Sequence, residues 1–172
     1  MQLELRKLRK QDHKKAIQCA ITGMHFDWYM DSPWLLDLYG RYFWYMELTR
    51  ATQILQDVFV KDGPGVYNEA NEQMFENYCR QNEPDGEILF LAANPDIGVK
   101  GIGSFLLKEL EKREPGKKIY LYTDNACTYP FYEHRGFERS EEKDIVLDMG
   151  KKKVDLRCFL YSKILGDKTV RG

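Results

Sequence analysis

The stretch 87–107, EILFLAANPDIGVKGIGSFLL, constrains the fold more than any other. Glu87 to Asn94 is a continuously apolar run, the pattern of a central strand buried on both faces. A turn rich in glycine follows, GVKGIG from Gly98 to Gly103. Beyond it, Ile102, Phe105, Leu106 and Leu110 recur at helical spacing, which predicts a helix from about Gly101 to Arg113. The first turn of a helix carries unpaired N–H groups and the positive end of the macrodipole. Glycines let a backbone approach a pyrophosphate with no Cβ in the way, and Lys100 adds a positive charge beside it. Tight packing of a strand against a helix would also explain the glycines. The order GxxGxG is not the dinucleotide fingerprint GxGxxG.

The remaining elements follow from pattern. Leu3, Leu5 and Leu8 alternate like a half-buried strand. Asp12 can cap a helix from His13 to about Met24, with Ala16, Ile17, Ala20, Ile21 and Met24 on its apolar face. Ser32-Pro33 starts a second helix that runs to about Arg50 and is crowded with aromatics. Ala51 to Lys61 has strand composition, and Asp62-Gly63-Pro64-Gly65 is a turn. Tyr67, Ala70, Asn71, Met74, Phe75 and Tyr78 mark one face of a third helix, and Asp85-Gly86 is a turn. KKIYLYTD is a strand, Pro130 to Arg135 a short helix, and Ile145–Leu147 and Val154–Tyr161 two final strands.

At 172 residues, the length suits one domain with a sizeable core. The four cysteines, Cys19, Cys79, Cys127 and Cys158, are scattered without CxxC or Cys/His spacing. They read as buried free thiols in a reducing compartment, with no metal site. The sequence has no apolar N-terminal run and no segment approaching the roughly 18–20 apolar residues of a membrane span. A cytoplasmic protein that does not engage the membrane is expected. Basic residues gather at the two ends, and the interior is acidic. Tyr67 to Asp96 holds seven carboxylates against Arg80. That face is either a plain solvated helix surface or an attractor of a cationic amine, and it opposes nucleic acid.

A second informative segment is Thr123 to Phe137, TDNACTYPFYEHRGF: a strand end, Asn125, a short helix carrying Tyr132, and a Gly136-Phe137 stop in which Gly136 takes the left-handed conformation. Taken with GVKGIG, it resembles the acyl-coenzyme A site of the GNAT family of N-acetyltransferases. The likeness covers Glu87 to about Lys163, and Gly101-Ile102-Gly103 carries the glycine part of the signature. Gly98 stands where the family has Gln or Arg, so one side chain of the phosphate site is missing. The resemblance implies an α/β fold of the α+β type: a mixed, mostly antiparallel central sheet flanked by helices. It also implies a single domain over 1–172, with residues 1–86 as the variable acceptor-side half and 87–163 as the acetyl-CoA half.

By the same resemblance, the backbone of Val99, Lys100, Gly101, Ile102, Gly103 and Ser104 would hold the pyrophosphate of acetyl-CoA, the co-substrate. Asn125 would bind the pantetheine arm. Tyr132 would protonate the leaving thiolate, which a phenol can do; the plain alternative is a core aromatic. Glu87 is the positional candidate for the base that deprotonates an ammonium, or else an exposed strand-end charge. Backbone N–H groups from Leu91, Ala92 and Ala93 would face the oxyanion. Trp28, Tyr29 and Trp34 lie where variable first helices line the acceptor pocket. Cys127 reads as a small buried residue, and His13, His25 and His134 are not spaced as ligands or triad partners. The acceptor would be the primary amine of a small molecule or peptide. A non-catalytic acyl-CoA sensor is the alternative, and a homodimer is compatible with the aromatic content and the apolar last strand. The family carries a strand near 61–67 for which this chain has almost no residues.

Overall fold

The computed structural model describes residues 5–23, 32–49, 64–93, 98–148 and 153–166. In chain order these contain α1 (His13–Gly23), α2 (Pro33–Thr49), α3 (Pro64–Cys79), β1 (Gly86–Glu87), α4 (Ile102–Arg113), β2 (Lys118–Asp124), α5 (Pro130–Glu133), β3 (Glu138–Asp148) and β4 (Lys153–Ile164). Two compact units divide the chain. One is Met1–Val60 with Phe90–Leu106; the other is Lys61–Leu89 with Leu107–Gly172.

In the first unit, α1 buries Ala20 and Ile21, with Ala16 and Ile17 half-buried, as the periodicity predicts. The Ser32-Pro33 start of α2 is also observed, with the Leu36 N–H donating to the Ser32 carbonyl at 2.9 Å. Helices α1 and α2 approach closely at Gly40, where a Cβ would lie 2.5 Å from Ile21 Cγ1 and Cδ1. The Trp44 ring meets His13 and Phe90 edge-on.

The expected N-terminal strand does not form over 5–9, and Leu8 is 50% exposed. A 3₁₀ turn, Lys10–Asp12, replaces it. The Arg6 guanidinium reaches the Asp12 carboxylate at 2.6 and 3.0 Å, and the Arg9 N–H donates to the same group at 2.9 Å. Asp12 therefore closes this turn rather than capping α1, and the turn satisfies locally the groups a ladder would need. Met24, the strand expected at 51–61 and Asp62-Gly63 lie outside the described residues.

Among the described residues, the second unit holds a four-stranded sheet of order β1-β2-β4-β3. Strands β2, β4 and β3 are antiparallel, and β1 pairs parallel with β2. The sheet is mixed and mostly antiparallel, as expected, and among the described residues the run from Glu87 to Ala93 pairs over a short length. Its ladder comprises Gly86 and Glu87, plus one further bond from the Ile88 N–H to the Tyr120 carbonyl at 2.9 Å. Leu89 is 62% exposed. Apolar composition supplies strand propensity, but burial on both faces needs a layer packed on each face; among the described residues its pairing partner is β2.

The central position belongs to β4, where Leu156, Cys158 and Leu160 are buried on one face and Phe159 and Tyr161 on the other. Strands β3 and β4 are longer than their apolar cores predict. The helix α3 begins at Pro64, inside the expected turn, with proline suited to a first helical position. It covers one face of the sheet with Ala70, Met74 and Tyr78 buried, Phe75 against Tyr120 at 4.9 Å, and Gln73 bonded to Lys143. On the opposite face, α5 sets Tyr132 against Tyr161, and Lys163 joins β4 to Glu111 of α4 at 2.5 Å. In α4 the buried residue is Leu107, which the helical pattern did not single out.

Candidate active site

The glycine turn lies in the first unit. Gly98 and Gly101 have φ of 65° and 85°, conformations that suit glycine. A Cβ added at either would meet nothing within 4 Å, so both glycines border open space. The α4 ladder starts when the Phe105 N–H reaches the Gly101 carbonyl at 2.9 Å, and the amides of the turn precede it. Lys100 is exposed and Val99 half-buried; Ile102, Gly103 and Ser104 open the helix. Such a turn has the donor set and the clearance for a pyrophosphate. Leu91 and Ala92 are half-buried and Ala93 exposed, in a segment without ladder pairing. Trp34 is 69% exposed in the first turn of α2. Trp28, Tyr29 and His25 lie outside the described residues.

In the second unit, β2 ends on a buried carboxylate. Asp124 is 7% exposed. One of its oxygens accepts the Tyr67 hydroxyl at 3.0 Å, and the other accepts the N–H groups of Ala126 and Cys127 at 2.9 and 3.2 Å. Burial, then Asp124, pushes the Tyr67 phenol well above its ordinary pKa. Burial, then the same carboxylate, raises the Cys127 thiol to about 11. Cys127 is thus a neutral thiol near pH 7, consistent with a structural rather than a nucleophilic role. The neighbouring Asn125 prolongs the β2–β4 ladder. Its N–H reaches the Arg157 carbonyl at 3.0 Å, and its Oδ1 accepts the Arg157 N–H at 2.9 Å. The donor that Asn125 can offer a ligand is therefore its carboxamide nitrogen. Beside it opens a groove of about 660 Å³, walled by Tyr129, Arg139, Arg157 and Phe159.

Tyr132 is half-buried. Its ring packs against Phe131 (5.2 Å), Phe137 (5.6 Å) and Tyr161 (6.2 Å, stacked). Burial, then Cys127, raises its pKa, so the phenol carries its proton through neutral pH and beyond. Next to it, Glu133 accepts the Tyr161 hydroxyl at 2.7 Å and Arg139 at 2.6 Å. Gly136 ends this segment at φ 72°, the left-handed stop expected from the sequence.

Glu87 stands in register with Tyr120, whose hydroxyl donates to it at 3.1 Å. It therefore lies on the face that α3 covers, beside Tyr122 and near Glu72. Tyr132 lies on the other face. The two proposed proton-transfer groups are thus placed on opposite sides of the sheet, not side by side. The β1–β2 ladder covers Gly86 and Glu87, with the Ile88 N–H bond beyond it, while β2 continues to Asp124.

Sequence reasoning missed Tyr67, Asp124, Glu133, Arg139 and Tyr161. A local signal existed for Asp124, an aspartate at a strand end accepting from the amides two and three residues on, as in an Asx turn. The other pairings span long separations and leave no local trace. Among the described residues, no helix is long and apolar enough to cross a membrane, and no group of three or more His, Cys, Asp or Glu is placed to hold a metal ion. The model of the Acetyltransferase (GNAT) family matches residues 58–137. No curated protein matches the chain.

Proposed function

With residues 58–137 a domain of the acetyltransferase (GNAT) family, and the chain therefore an acyltransferase, we propose that it moves the acetyl group of acetyl-CoA to a primary amine by direct attack, with Tyr132 as general acid. The observation that carries this reading is the place of Tyr132, on the short helix that closes the segment opened by Asp124 and Asn125, with its phenol protonated at neutral pH. A phenol kept protonated is a donor, which is what a departing thiolate requires.

The turn from Val99 to Ser104 would take the pyrophosphate on backbone N–H groups, with Lys100 adding charge. Its open glycines fit that group. The Asn125 carboxamide would donate to the pantetheine arm. A base, for which Glu87 is the candidate directly or through water, removes a proton from the alkylammonium. The freed nitrogen bonds to the thioester carbon, and backbone N–H groups from Leu91 to Ala93 would receive the oxyanion. The C–S bond then breaks, Tyr132 gives its proton to the thiolate, and the second proton leaving nitrogen returns to the phenolate. Glu72 and Glu87 on the α3 side support a cationic acceptor, for which Trp28, Tyr29 and Trp34 remain the pocket candidates. This reading takes 1–172 as one catalytic domain. All four cysteines are free thiols, which fits a reducing cytoplasm.

Calorimetric titration with acetyl-CoA, followed by thiol release over a panel of primary amines, tests the proposal. Tyr132→Phe should leave the acetyl-CoA Kd nearly unchanged and slow turnover by roughly 10²-fold. Unchanged turnover removes Tyr132 from the chemistry. Absence of binding overturns the site, and binding without turnover on any amine favours the sensory alternative.

A further inference from the structure

We infer that Tyr161, Glu133 and Arg139 form a positioning clamp that fixes the Tyr132 phenol, an inference that rests on the general-acid reading of Tyr132. The helix that carries Tyr132, α5, is four residues long. A single turn is far too short to be stable alone, so its direction must come from what grips it. The grip comes through Glu133, the next residue in the chain. Its carboxylate takes the Tyr161 hydroxyl at 2.7 Å and Arg139 Nη2 at 2.6 Å, while Arg139 Nε also donates to the Tyr161 oxygen at 3.2 Å. The three side chains close a triangle that joins α5 to β3 and β4.

Tyr161 contributes twice. It is fully buried, at 0% exposure, so its place is fixed by the centre of the sheet. Its ring face stacks on Tyr132, and its hydroxyl holds the helix on which Tyr132 rides. Arg139 is fixed in turn, with its guanidinium 4.3 Å from the Phe159 ring centre and Nη1 on Glu142 at 3.3 Å. Ring packing alone sets distance but tolerates sliding, whereas hydrogen bonds set direction. A proton donor misplaced by about 1 Å can lose roughly 10²-fold in rate, so a directional clamp beside the donor has kinetic value. Glu133 is held below its ordinary carboxyl pKa by Tyr161, then Arg139, so the clamp is ionised at neutral pH.

Tyr161→Phe removes the hydroxyl and keeps the ring under Tyr132. With the amine turned over fastest in the panel (or with water, if only slow hydrolysis of acetyl-CoA is seen), thiol release should fall about 10-fold, within the range that misplacement allows. The calorimetric Kd for acetyl-CoA should stay within about 2-fold, because the substitution alters neither the glycine turn nor Asn125 and leaves Arg139, which borders the groove beside Asn125, in place. Arg139→Lys, at an exposed site, keeps the charge but loses the fork, and should fall between Tyr161→Phe and the parent. In the Tyr132→Phe background, Tyr161→Phe should have no further effect on turnover, since there is no longer a donor to position. Losses that multiply in the double variant, or a Kd that weakens in step with turnover, would make the triangle merely structural. Full activity in Tyr161→Phe would overturn the clamp while leaving Tyr132 standing. Full activity in Tyr132→Phe alone would remove both.

Discussion

The buried pair Tyr67–Asp124 supports a graded prediction in which three substitutions of similar size have unequal costs. Asp124 takes three hydrogen bonds at 7% exposure. In Tyr67→Phe one charge-assisted bond disappears and the buried Asp124 Oδ2 loses that donor, a loss of about 1.5–3 kcal/mol. In Asp124→Ala the Tyr67 hydroxyl stays buried without its acceptor, at about 1–3 kcal/mol. The turn also loses the side chain that holds the Ala126 and Cys127 amides, worth about 1 kcal/mol by analogy with a helix cap. The total is about 3 kcal/mol. In Asp124→Asn the carboxamide oxygen can accept both amides while its nitrogen donates to the phenolic oxygen, so the Tyr67 hydroxyl keeps one hydrogen bond although its O–H loses an acceptor, and about 1–2 kcal/mol is lost with the charge-assisted bonds. Urea unfolding should rank Asp124→Ala as worst, Tyr67→Phe next and Asp124→Asn as mildest. The melting temperature should follow at roughly 2–4 °C per kcal/mol. Since Asn125 follows directly, acetyl-CoA binding should weaken in Asp124→Ala and persist in Asp124→Asn. The reasoning fails if Asp124→Asn costs as much as Asp124→Ala, or if Tyr67→Phe is neutral.

Gly40→Ala adds a methyl 2.5 Å from Ile21 Cγ1 and Cδ1. An overpacking cost of about 1–3 kcal/mol should exceed a helix-propensity gain of about 1 kcal/mol, so urea denaturation should show net destabilisation, partly relieved by adding Ile21→Val; a stabilised Gly40→Ala would contradict the close crossing. Gly101→Ala, at φ 85°, should cost about 1–2 kcal/mol of backbone strain and weaken acetyl-CoA in calorimetry, and an unchanged Kd would separate that turn from the ligand. Glu133 is held below its ordinary value of 4.5, by Tyr161 first, and Asp144 below 3.8, by Arg157. Their stabilisation is therefore complete above those values and fades as pH falls through the lowered folded ones. The urea midpoint should hold down to about pH 5 and drop below about pH 4, with a shallower drop in Glu133→Gln; equal slopes would show that Glu133 is not linked.

The parts legible in the sequence were those set by local chemistry. Ser32-Pro33, the Gly136 stop and the α1 and α3 faces follow from caps, φ preference and period, and each stands where it was expected. The misreadings have a common physical origin. Leu3, Leu5 and Leu8 suggest a strand, but residues 5–9 form none, and Arg6 and Asp12 pair across the turn that follows. The run from Glu87 is apolar, but apolar composition does not by itself supply the layers that bury a strand, and Leu89 stands exposed. β3 was shortened to its apolar core because Glu138, Glu142 and Asp144 face solvent, which hides a period-two pattern behind charge. Tyr67–Asp124 and Glu133–Tyr161 join residues 57 and 28 apart, and no local rule anticipates such a bond.

The same distinction governs the site. The family resemblance brought Glu87 and Tyr132 into one mechanism but said nothing of the faces on which they stand. Strand parity supplies that. Glu87 is in register with Tyr120 and shares its face under α3; Tyr132 stacks on Tyr161, which pairs with Leu121 and points the other way. If both groups act on one thioester, it must be reachable from both faces, and continuous pairing between β1 and β2 would forbid that. The ladder stops after two residues. On the proposed reading, the end of β1 pairing at Glu87 is compatible with a thioester that both groups reach.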